Sequence, residues 1–236
     1  SYHRFESAPG ADPKPGMAVT PELFRRQIGI LRELGPFISI DAALSETRPS
    51  GITFVLSFDD GYRDNLTVLL PMLEELRIPC TLYVTSGLVS GEMAALEHDR
   101  KSGFCPPVLS LPGLKKLAAH PLITIGSHTH HHVRLSTLNI EELEAELRAS
   151  SDWFRDSAGI DVRHLAVPFG RREDANWPDL LSVAGRLGFT SVASNYGGGN
   201  PAPGKYPVHF RRAPAPSAGE SGILKGWILG LCEVRK

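Results

Sequence analysis

The sequence predicts an α/β fold, a distorted or incomplete (β/α) barrel. Apolar segments of strand length alternate with amphipathic segments of helical period through most of the chain, which is typical of a mainly parallel sheet covered by helices. Fewer clear strands are recognisable than the about eight of a complete barrel. No linker, charge block or shift in composition divides the 236 residues, so we expect one domain over residues 1–236.

The first predicted helix has clear signals at both ends. Thr20 is a suitable N-cap, Pro21 suits the first turn, and Gly35 ends the helix. Further helices with amphipathic spacing are predicted over residues 66–76, 114–119, 140–158 and 179–187. Pro71 predicts an irregularity in the first of these four, and Gly188 closes the last.

Five strands are predicted between the helices, each a short apolar run bounded by turn residues. They cover residues 52–58, 80–84, 122–125, 164–167 and 189–193. The connection over residues 86–112 is rich in glycine, serine and charge. Long loops of this kind are often functional, and this one should overhang the carboxyl ends of the strands.

Charge and hydropathy exclude two classes of partner. The chain has 25 basic and 26 acidic residues, a net charge of −1 and no basic stripe, so we expect no nucleic-acid partner. No segment approaches the ~18 apolar residues of a transmembrane helix. The apolar segment 222–231 is short and carries Lys225, which favours a final helix packed on the barrel over a helix at a membrane surface.

Compartment and assembly stay open. The chain begins without methionine and shows no signal peptide, so the cytoplasm and the cell envelope are both compatible with it. Cys80, Cys105 and Cys232 are too few and too scattered for a disulfide framework, and none has the spacing of a metal or redox site. The sequence does not indicate an oligomeric state.

Polar side chains follow two of the predicted strands. Asp59 and Asp60 end the first strand, and a histidine-rich segment over residues 128–132 follows the third. Active sites of α/β folds are built at the carboxyl ends of strands. One carboxylate and two imidazoles form a common ligand set for a catalytic zinc ion, and a second carboxylate beside it is suited to act as a base. The pattern therefore indicates a metal-dependent hydrolase, more than an Asp-Gly turn beside an exposed polar loop.

Three segments resemble, in this order, the motifs of the NodB-like polysaccharide deacetylases, also called carbohydrate esterase family four. Residues 57–61 read S-F-D-D-G, and residues 127–132 read S-H-T-H-H-H. Residues 166–170 read A-V-P-F-G, similar to the third motif of one branch of that family, which the opening Tyr2-His3-Arg4 also resembles. The resemblance covers roughly residues 2–212, and three motifs in order at strand ends are a specific signal.

The resemblance implies a deformed (β/α) barrel and hydrolysis of N-acetyl groups on amino sugars, of the N-acetylglucosamine type, in a bacterial polysaccharide or glycolipid. It implies Asp60, His128 and His132 as metal ligands and Asp59 as the base. Phe169 stands where the family's aromatic residue offers a backbone N–H to the oxyanion. The family spacing alone favours these two histidines over His130 and His131, for which we expect exposed or supporting roles. Zn²⁺ is the default ion by its chemistry, and Co²⁺ or Ni²⁺ would accept the same ligands.

Two positions depart from the family pattern. Many members have an arginine that orients the catalytic aspartate where this chain has Ala166, so another cation should do so, and Arg211 or Arg212 is the candidate. In the family the proton donor to the leaving amine is usually a late histidine that follows a leucine, whereas His209, the one late histidine in this chain, follows Val208. We therefore expect His209 and Arg211 among the catalytic residues.

The substrate is the least constrained part of the sequence-based interpretation. Trp177 and Tyr196 are candidates to stack on sugar rings, with packing of Trp177 on its own helix as an open alternative. Pro168 of the third motif is expected to line the substrate site. An N-acetylated glycan is the expected partner. Two alternatives stay open: hydrolysis of a non-sugar linear or cyclic amide C–N bond, and a non-catalytic glycan-binding module.

Overall fold

Six parallel strands form the central sheet of the protein. The computed structural model describes residues 1–8, 10–14, 16–45, 47, 51–197, 200 and 207–216. The sheet strands are β3 (Leu56–Phe58), β4 (Cys80–Val84), β5 (Ile123–Ser127), β6 (His164–Ala166), β7 (Ser191–Ser194) and β8 (Val208–Arg211), side by side in chain order. Two shorter strands, β1 (Arg4–Phe5) and β2 (Ala18–Val19), pair with each other in parallel. The sheet curls into part of a barrel, so the prediction of an incomplete (β/α) barrel is confirmed.

Eight α-helices accompany the strands within the described ranges. They are α1 (Pro21–Leu34), α2 (Ile40–Leu44), α3 (Leu70–Leu76), α4 (Ser86–Ser90), α5 (Glu97–Ser102), α6 (Leu111–Ala118), α7 (Ile140–Trp153) and α8 (Trp177–Arg186). The main hydrophobic core lies between the helices and one side of the sheet, where Leu73, Leu147 and Leu180 meet strand residues such as Leu82 and Val192. None of these helices combines the length and apolar character needed to cross a bilayer.

Ser1 and Tyr2 connect the two edges of the sheet. Tyr2 accepts a hydrogen bond from the backbone N–H of Asp59 at 2.9 Å and donates one to Ser57 O at 2.9 Å. Ser1 N donates to Ala213 O at 2.8 Å, beyond the end of β8. The first residues therefore lie between the first and the last strand of the sheet and bring both edges to one site.

Local signals locate α1 correctly. The Thr20 side chain accepts a hydrogen bond from Leu23 N at 3.2 Å, Pro21 begins the helix, and Gly35 donates its backbone N–H to Leu31 O. The irregularity predicted at Pro71 is a π-helical turn over Asn65–Leu69. Proline has no N–H to donate to the preceding turn, so the regular α-helical ladder cannot run through this position.

Several predicted boundaries differ from the structure. The strand predicted over 52–58 is regular only from Leu56, and the helix predicted over 140–158 ends in a π-helical turn over Phe154–Ala158. The connection over 86–112 contains α4 and α5, and β8 was not predicted as a strand. The segment 222–231 and Cys232 lie outside the described residues.

Candidate active site

Asp60, His128 and His132 converge at the carboxyl ends of two strands. Asp60 follows β3, and both histidines follow β5. His128 Nε2 lies 3.5 Å from Asp60 Oδ1, and His132 Nε2 lies 3.4 Å from the same oxygen. The two imidazole rings are 4.9 Å apart between centroids, in an edge-to-face arrangement. Two nitrogens and a carboxylate at these separations can ligate one metal ion.

Both carboxylate oxygens of Asp60 are buried without a hydrogen-bond partner. The residue is 1% exposed. Burial alone would raise the pKa of Asp60, but the imidazoles of His132, His3 and His128 hold that pKa below its usual value. An ionised carboxylate in this position is costly unless a positive charge compensates it. The residues present therefore fit a divalent cation held between Asp60 and the two histidines.

A backbone carbonyl orients His128. Its Nδ1 lies 2.9 Å from Ala166 O, so Nδ1 carries the proton and Nε2 directs its lone pair towards Asp60. Burial lowers the pKa of His128 to about 4, against the opposing effect of Asp59. The ring is therefore neutral at pH 7, which is the form that binds metal ions.

Asp59 is held by Arg212 through two parallel hydrogen bonds. Arg212 Nη1 donates to Asp59 Oδ1 at 2.6 Å and Nη2 donates to Asp59 Oδ2 at 2.8 Å. Burial raises the pKa of Asp59, but the charge of Arg212 outweighs this and lowers it. The cation that contacts Asp59 is therefore Arg212, and the choice of Arg211 is wrong. Arg211 is the last residue of β8, while Arg212 leaves the strand and lies over the ring of Tyr83.

Left-handed backbone conformations concentrate in this region. Among the described residues other than glycine, five have positive φ, and four of them belong to the site: Asp60 (75°), Thr129 (64°), His132 (52°) and Phe169 (63°). Such conformations cost on the order of 1–3 kcal/mol each, and they persist where the surrounding structure enforces them. Here they turn side chains towards one another at the strand ends, which regular strand geometry does not allow.

Phe169 lies beside the cluster of Asp60, His128 and His132, here called the Asp60 cluster. Its ring meets that of His132 edge-to-face with centroids 5.1 Å apart. The guanidinium of Arg134 lies 4.9 Å from the centroid of the Phe169 ring and pairs with Asp174, which is fully buried. Arg134 thus contacts both ends of the loop that carries Phe169.

A cleft with a volume of about 540 Å³ opens next to His132 and Phe169. Its lining includes Met93, His98, Arg100, Lys101 and Arg134. The ring of His98 lies 6.0 Å from that of His132, and burial lowers the pKa of His98 to about 4. His132 lines the cleft, so the cleft opens beside the Asp60 cluster, and its volume lies in the range of ligand-binding pockets.

Sequence comparison assigns the family. The sequence pattern described as polysaccharide deacetylase matches residues 46–192, which include Asp59, Asp60, His128 and His132. The chain belongs to the polysaccharide deacetylase family. Members of this family are hydrolases that act on amide C–N bonds.

Two curated relatives in the polysaccharide deacetylase family match part of the chain. YxkH of Bacillus subtilis (strain 168) is named as a polysaccharide deacetylase. It is 25% identical to this chain over 182 residues, which cover 77% of this chain and 57% of YxkH. Chitin deacetylase 1 of Cryptococcus neoformans var. grubii is 26% identical over 137 residues, covering 58% of this chain and 24% of that protein. The chain thus spans little more than half of the first relative and about a quarter of the second.

Solved structures of deacetylases share the fold. The Streptococcus pyogenes deacetylase PplD, in complex with acetate, has a TM-score of 0.75 at 22% identity, over 97% of this chain and 95% of PplD. A de-N-acetylase from Aggregatibacter actinomycetemcomitans has a TM-score of 0.78 at 17% identity, over 96% and 97% of the two chains. At such identities the similarity shows that the fold is shared.

His209 lies away from the Asp60 cluster. In β8 it pairs in register with Val192, which packs in the main core on the helix-covered side of the sheet. Its ring stacks on Trp177, the first residue of α8, at 4.2 Å between centroids, and its Nε2 lies 3.0 Å from Ser194 Oγ. Asp59 lies on the other side of the sheet with Arg212 and Tyr83. The structure therefore does not bring His209 to Asp59.

The expected substrate-binding residues are also separate from the cleft. Trp177 and Tyr196 contact each other and His209, with Arg172 over the Tyr196 ring at 5.1 Å. Pro168 is buried, and its carbonyl oxygen accepts a hydrogen bond from Gly170 N at 2.7 Å. None of the three contributes to the cleft lining in the described part of the chain.

His3 is a residue of the site that was not among the candidates predicted from the sequence. Tyr2 pairs in parallel with Phe58, and their rings stack at 5.1 Å on the core side. The next residue, His3, therefore lies beside Asp59 on the opposite side of the strand. Burial lowers the pKa of His3, and the charges of Asp60 and Asp59 oppose that effect. The sequence signal that could have identified His3 was the resemblance of the opening Tyr2-His3-Arg4 to a branch of the family.

Proposed function

We propose that this member of the polysaccharide deacetylase family is a metal-dependent hydrolase that removes N-acetyl groups from amino sugars. The substrate would be an N-acetylglucosamine-type unit of a bacterial polysaccharide or glycolipid. One observation carries the proposal: the buried carboxylate of Asp60 has no hydrogen-bond partner and faces two imidazole nitrogens, next to Asp59, a second carboxylate with its own cation. This arrangement suits hydrolysis of an unactivated amide.

Asp60, His128 and His132 would hold the metal ion. Zn²⁺ suits this donor set, and Co²⁺ or Ni²⁺ would accept it. When bound, such an ion polarises the amide carbonyl and lowers the pKa of a coordinated water to about 7. The hydrogen bond between His128 Nδ1 and Ala166 O fixes the ring in the orientation that presents Nε2.

Asp59 would act as the base that accepts the proton of the attacking water. The paired hydrogen bonds from Arg212 keep its carboxylate ionised and fix its orientation. General base catalysis of this kind contributes typically about 10²- to 10⁴-fold. The backbone N–H of Phe169 would stabilise the oxyanion, and Arg134 would position the Phe169 loop.

His3 is our candidate for the proton donor to the leaving amine. An amine leaves poorly unless its nitrogen is protonated, so a second titratable group must face the reacting bond. His3 lies beside Asp59 and is not a member of the metal-ligand set. His209 stacks on Trp177 at the other side of the sheet, away from Asp59, which favours His3 over His209 for this step.

Acetate release from N-acetylglucosamine oligomers tests the proposal. The purified protein should release acetate only when Zn²⁺ or Co²⁺ is bound, and chelation should abolish the release. Asp59→Asn should bind the metal, as measured by elemental analysis, but lose about 10²- to 10⁴-fold in rate. Asp156→Asn, an exchange at an exposed aspartate, is the matched control and should retain the parent rate. Full metal occupancy without acetate release from oligomer or glycolipid substrates would contradict the proposed activity.

A further inference from the structure

A second group of metal-binding side chains lies next to the Asp60 cluster. Glu92, His130 and His131 each place one nitrogen or carboxylate oxygen within 4.8 Å of one from each of the others. His130 Nε2 lies 3.0 Å from Glu92 Oε2, and the two imidazole rings are 4.5 Å apart between centroids. None of these three residues has a part in the proposed hydrolysis.

Both histidines have their Nδ1 atoms engaged by other groups. His131 Nδ1 lies 2.7 Å from Glu146 Oε2, a carboxylate that can only accept, so in the neutral ring Nδ1 carries the proton. His130 Nδ1 lies 2.8 Å from Ser86 Oγ, whose own proton can go to Ser150 Oγ at 3.2 Å or to Thr129 O. Metal-binding histidines typically have this arrangement, in which a partner at Nδ1 fixes the ring and leaves the Nε2 lone pair for the ion.

The backbone around these histidines is fixed as well. Glu146 on α7 accepts hydrogen bonds from the backbone N–H groups of His130 at 2.9 Å and His131 at 2.6 Å. Glu146 and His130 are buried, whereas the side chains of Glu92 and His131 are more than half exposed. Glu146 therefore holds the two imidazoles in place, and the exposed side chain of Glu92 can approach an ion from the solvent side.

An ion pair alone explains only part of this arrangement. A protonated His130 would account for the contact with Glu92. An ion pair between His130 and Glu92 would not account for His131, whose ring lies beside that of His130 while its Nδ1 is bound to Glu146. Two imidazoles and a carboxylate are the donors that Zn²⁺, Ni²⁺ and Co²⁺ prefer.

We propose that Glu92, His130 and His131 bind a second divalent transition-metal ion. The site shares no residue with the Asp60 cluster and does not depend on the proposed function. Glu92 lies in the connection between α4 and α5, and α5 contributes His98 and Lys101 to the cleft lining. An ion at this site ties that connection to the segment that carries His132.

Zinc stoichiometry in matched variants tests the second site. Equilibrium dialysis against buffered Zn²⁺, followed by elemental analysis, should give two ions per chain for the parent protein. His128→Ala and His131→Ala should each bind one ion, and the double variant none. Both single exchanges leave the other group intact, so the two sites are counted separately. One ion in the parent and none in His128→Ala would overturn the proposal.

Glu92→Gln provides a second, conservative test at an exposed position. The exchange should raise the Kd for one of the two ions by at least about 10- to 100-fold. An effect of that size is typical of removing a hydrogen-bond partner of a metal ligand. Glu141→Gln, an exchange at another exposed glutamate, is the control and should bind both ions as the parent does. Equal affinities in Glu92→Gln and the parent would show that Glu92 and His130 form an ion pair without a metal.

Discussion

Asp59 and Asp60 are neighbours in sequence but have different surroundings. Arg212 occupies both oxygens of Asp59, whereas neither oxygen of Asp60 has a hydrogen-bond partner. The left-handed φ of 75° at Asp60 turns its side chain away from the direction that strand alternation would give it. The two carboxylates therefore do not compete for one proton, and each can have a separate role.

Replacing Arg212 should change the pH dependence of the reaction. Arg212 lowers the pKa of Asp59, so its removal raises that pKa, and the base becomes protonated at a higher pH. In Arg212→Met the acid limb of the kcat/KM profile should move to higher pH, and the unpaired buried carboxylate should cost about 3–5 kcal/mol of stability. Arg212→Lys should shift the limb less because it keeps the charge but loses the paired geometry.

Arg211→Met serves as the control for this pH profile. Arg211 is adjacent in sequence and carries the same charge, but the guanidinium bound to Asp59 is that of Arg212. The acid limb of the kcat/KM profile of Arg211→Met should coincide with that of the parent. Equal shifts in both variants would mean that overall charge, and not the contact with Asp59, sets the profile.

Exchanging His3 should affect substrates according to their leaving groups. If His3 protonates the departing amine, His3→Gln should slow amide hydrolysis by about 10²- to 10⁴-fold. Hydrolysis of an acetyl ester of a nitrophenol should change little, because that leaving group departs without a proton. Initial rates on both substrates with matched metal content provide the measurement. His209→Gln is the comparison, and a selective loss on the amide in that variant instead would return the role to His209.

The sequence identified the residue types of the site better than their placement. The resemblance to the family motifs, at two predicted strand ends, was sufficient to propose Asp59, Asp60, His128 and His132. The choice between Arg211 and Arg212 depends on how the chain leaves β8, and no local pattern encodes that geometry. Such placement follows from tertiary contacts between segments far apart in the chain.

At the scale of elements, local signals predicted helices more reliably than short strands. α1 has an N-cap, a first-turn proline and a terminal glycine, so its ends could be located. β8 has four residues, and its pairing with β7 supplies the hydrogen bonds that its own sequence does not predict. The helices α4 and α5 have five and six residues, too few to show an amphipathic period.

Arg134 should act as a positioning residue for the Phe169 loop. In Arg134→Met the side chain keeps its length but loses both the stacking on Phe169 and the ion pair with Asp174. We expect kcat to fall by about 10- to 100-fold with little change in KM, which is less than the loss of a whole oxyanion donor costs. Arg134→Lys should recover part of kcat because it restores the ion pair.

Arg171→Met is the matched control for this exchange. Arg171 is an exposed arginine in the same loop, and its side chain lies 3.9 Å from Glu173. Its kcat should equal that of the parent in steady-state measurements on the same glycan. A comparable fall in kcat for Arg171→Met would assign the effect to surface charge and remove the positioning role.

At the scale of the whole molecule, the curled sheet brings distant segments to one site. Ser1 and Tyr2 lie between β3 and the residues after β8, which places His3 and Arg212 on either side of Asp59. The site thus combines residues from the beginning and the end of the described chain. Stability and the proposed function are linked at this site, because the buried carboxylate of Asp60 has no hydrogen-bond partner and is costly to the fold unless a positive charge compensates it.

The metal-free protein should become more stable when Asp60 is neutralised. At pH 8 His128 is neutral because burial lowers its pKa to about 4, and burial lowers the pKa of His3 as well, so neither ring compensates the carboxylate. In Asp60→Asn the amide can instead donate a hydrogen bond to an imidazole nitrogen. With chelator present, Tm should therefore exceed that of the parent, whereas a Zn²⁺ concentration of 100 times Kd should stabilise only the parent, by about 2.7 kcal/mol. Both proteins should carry His131→Ala so that the second site does not contribute. A lower Tm for Asp60→Asn than for the parent in chelator would show that the unpartnered carboxylate does not destabilise the fold.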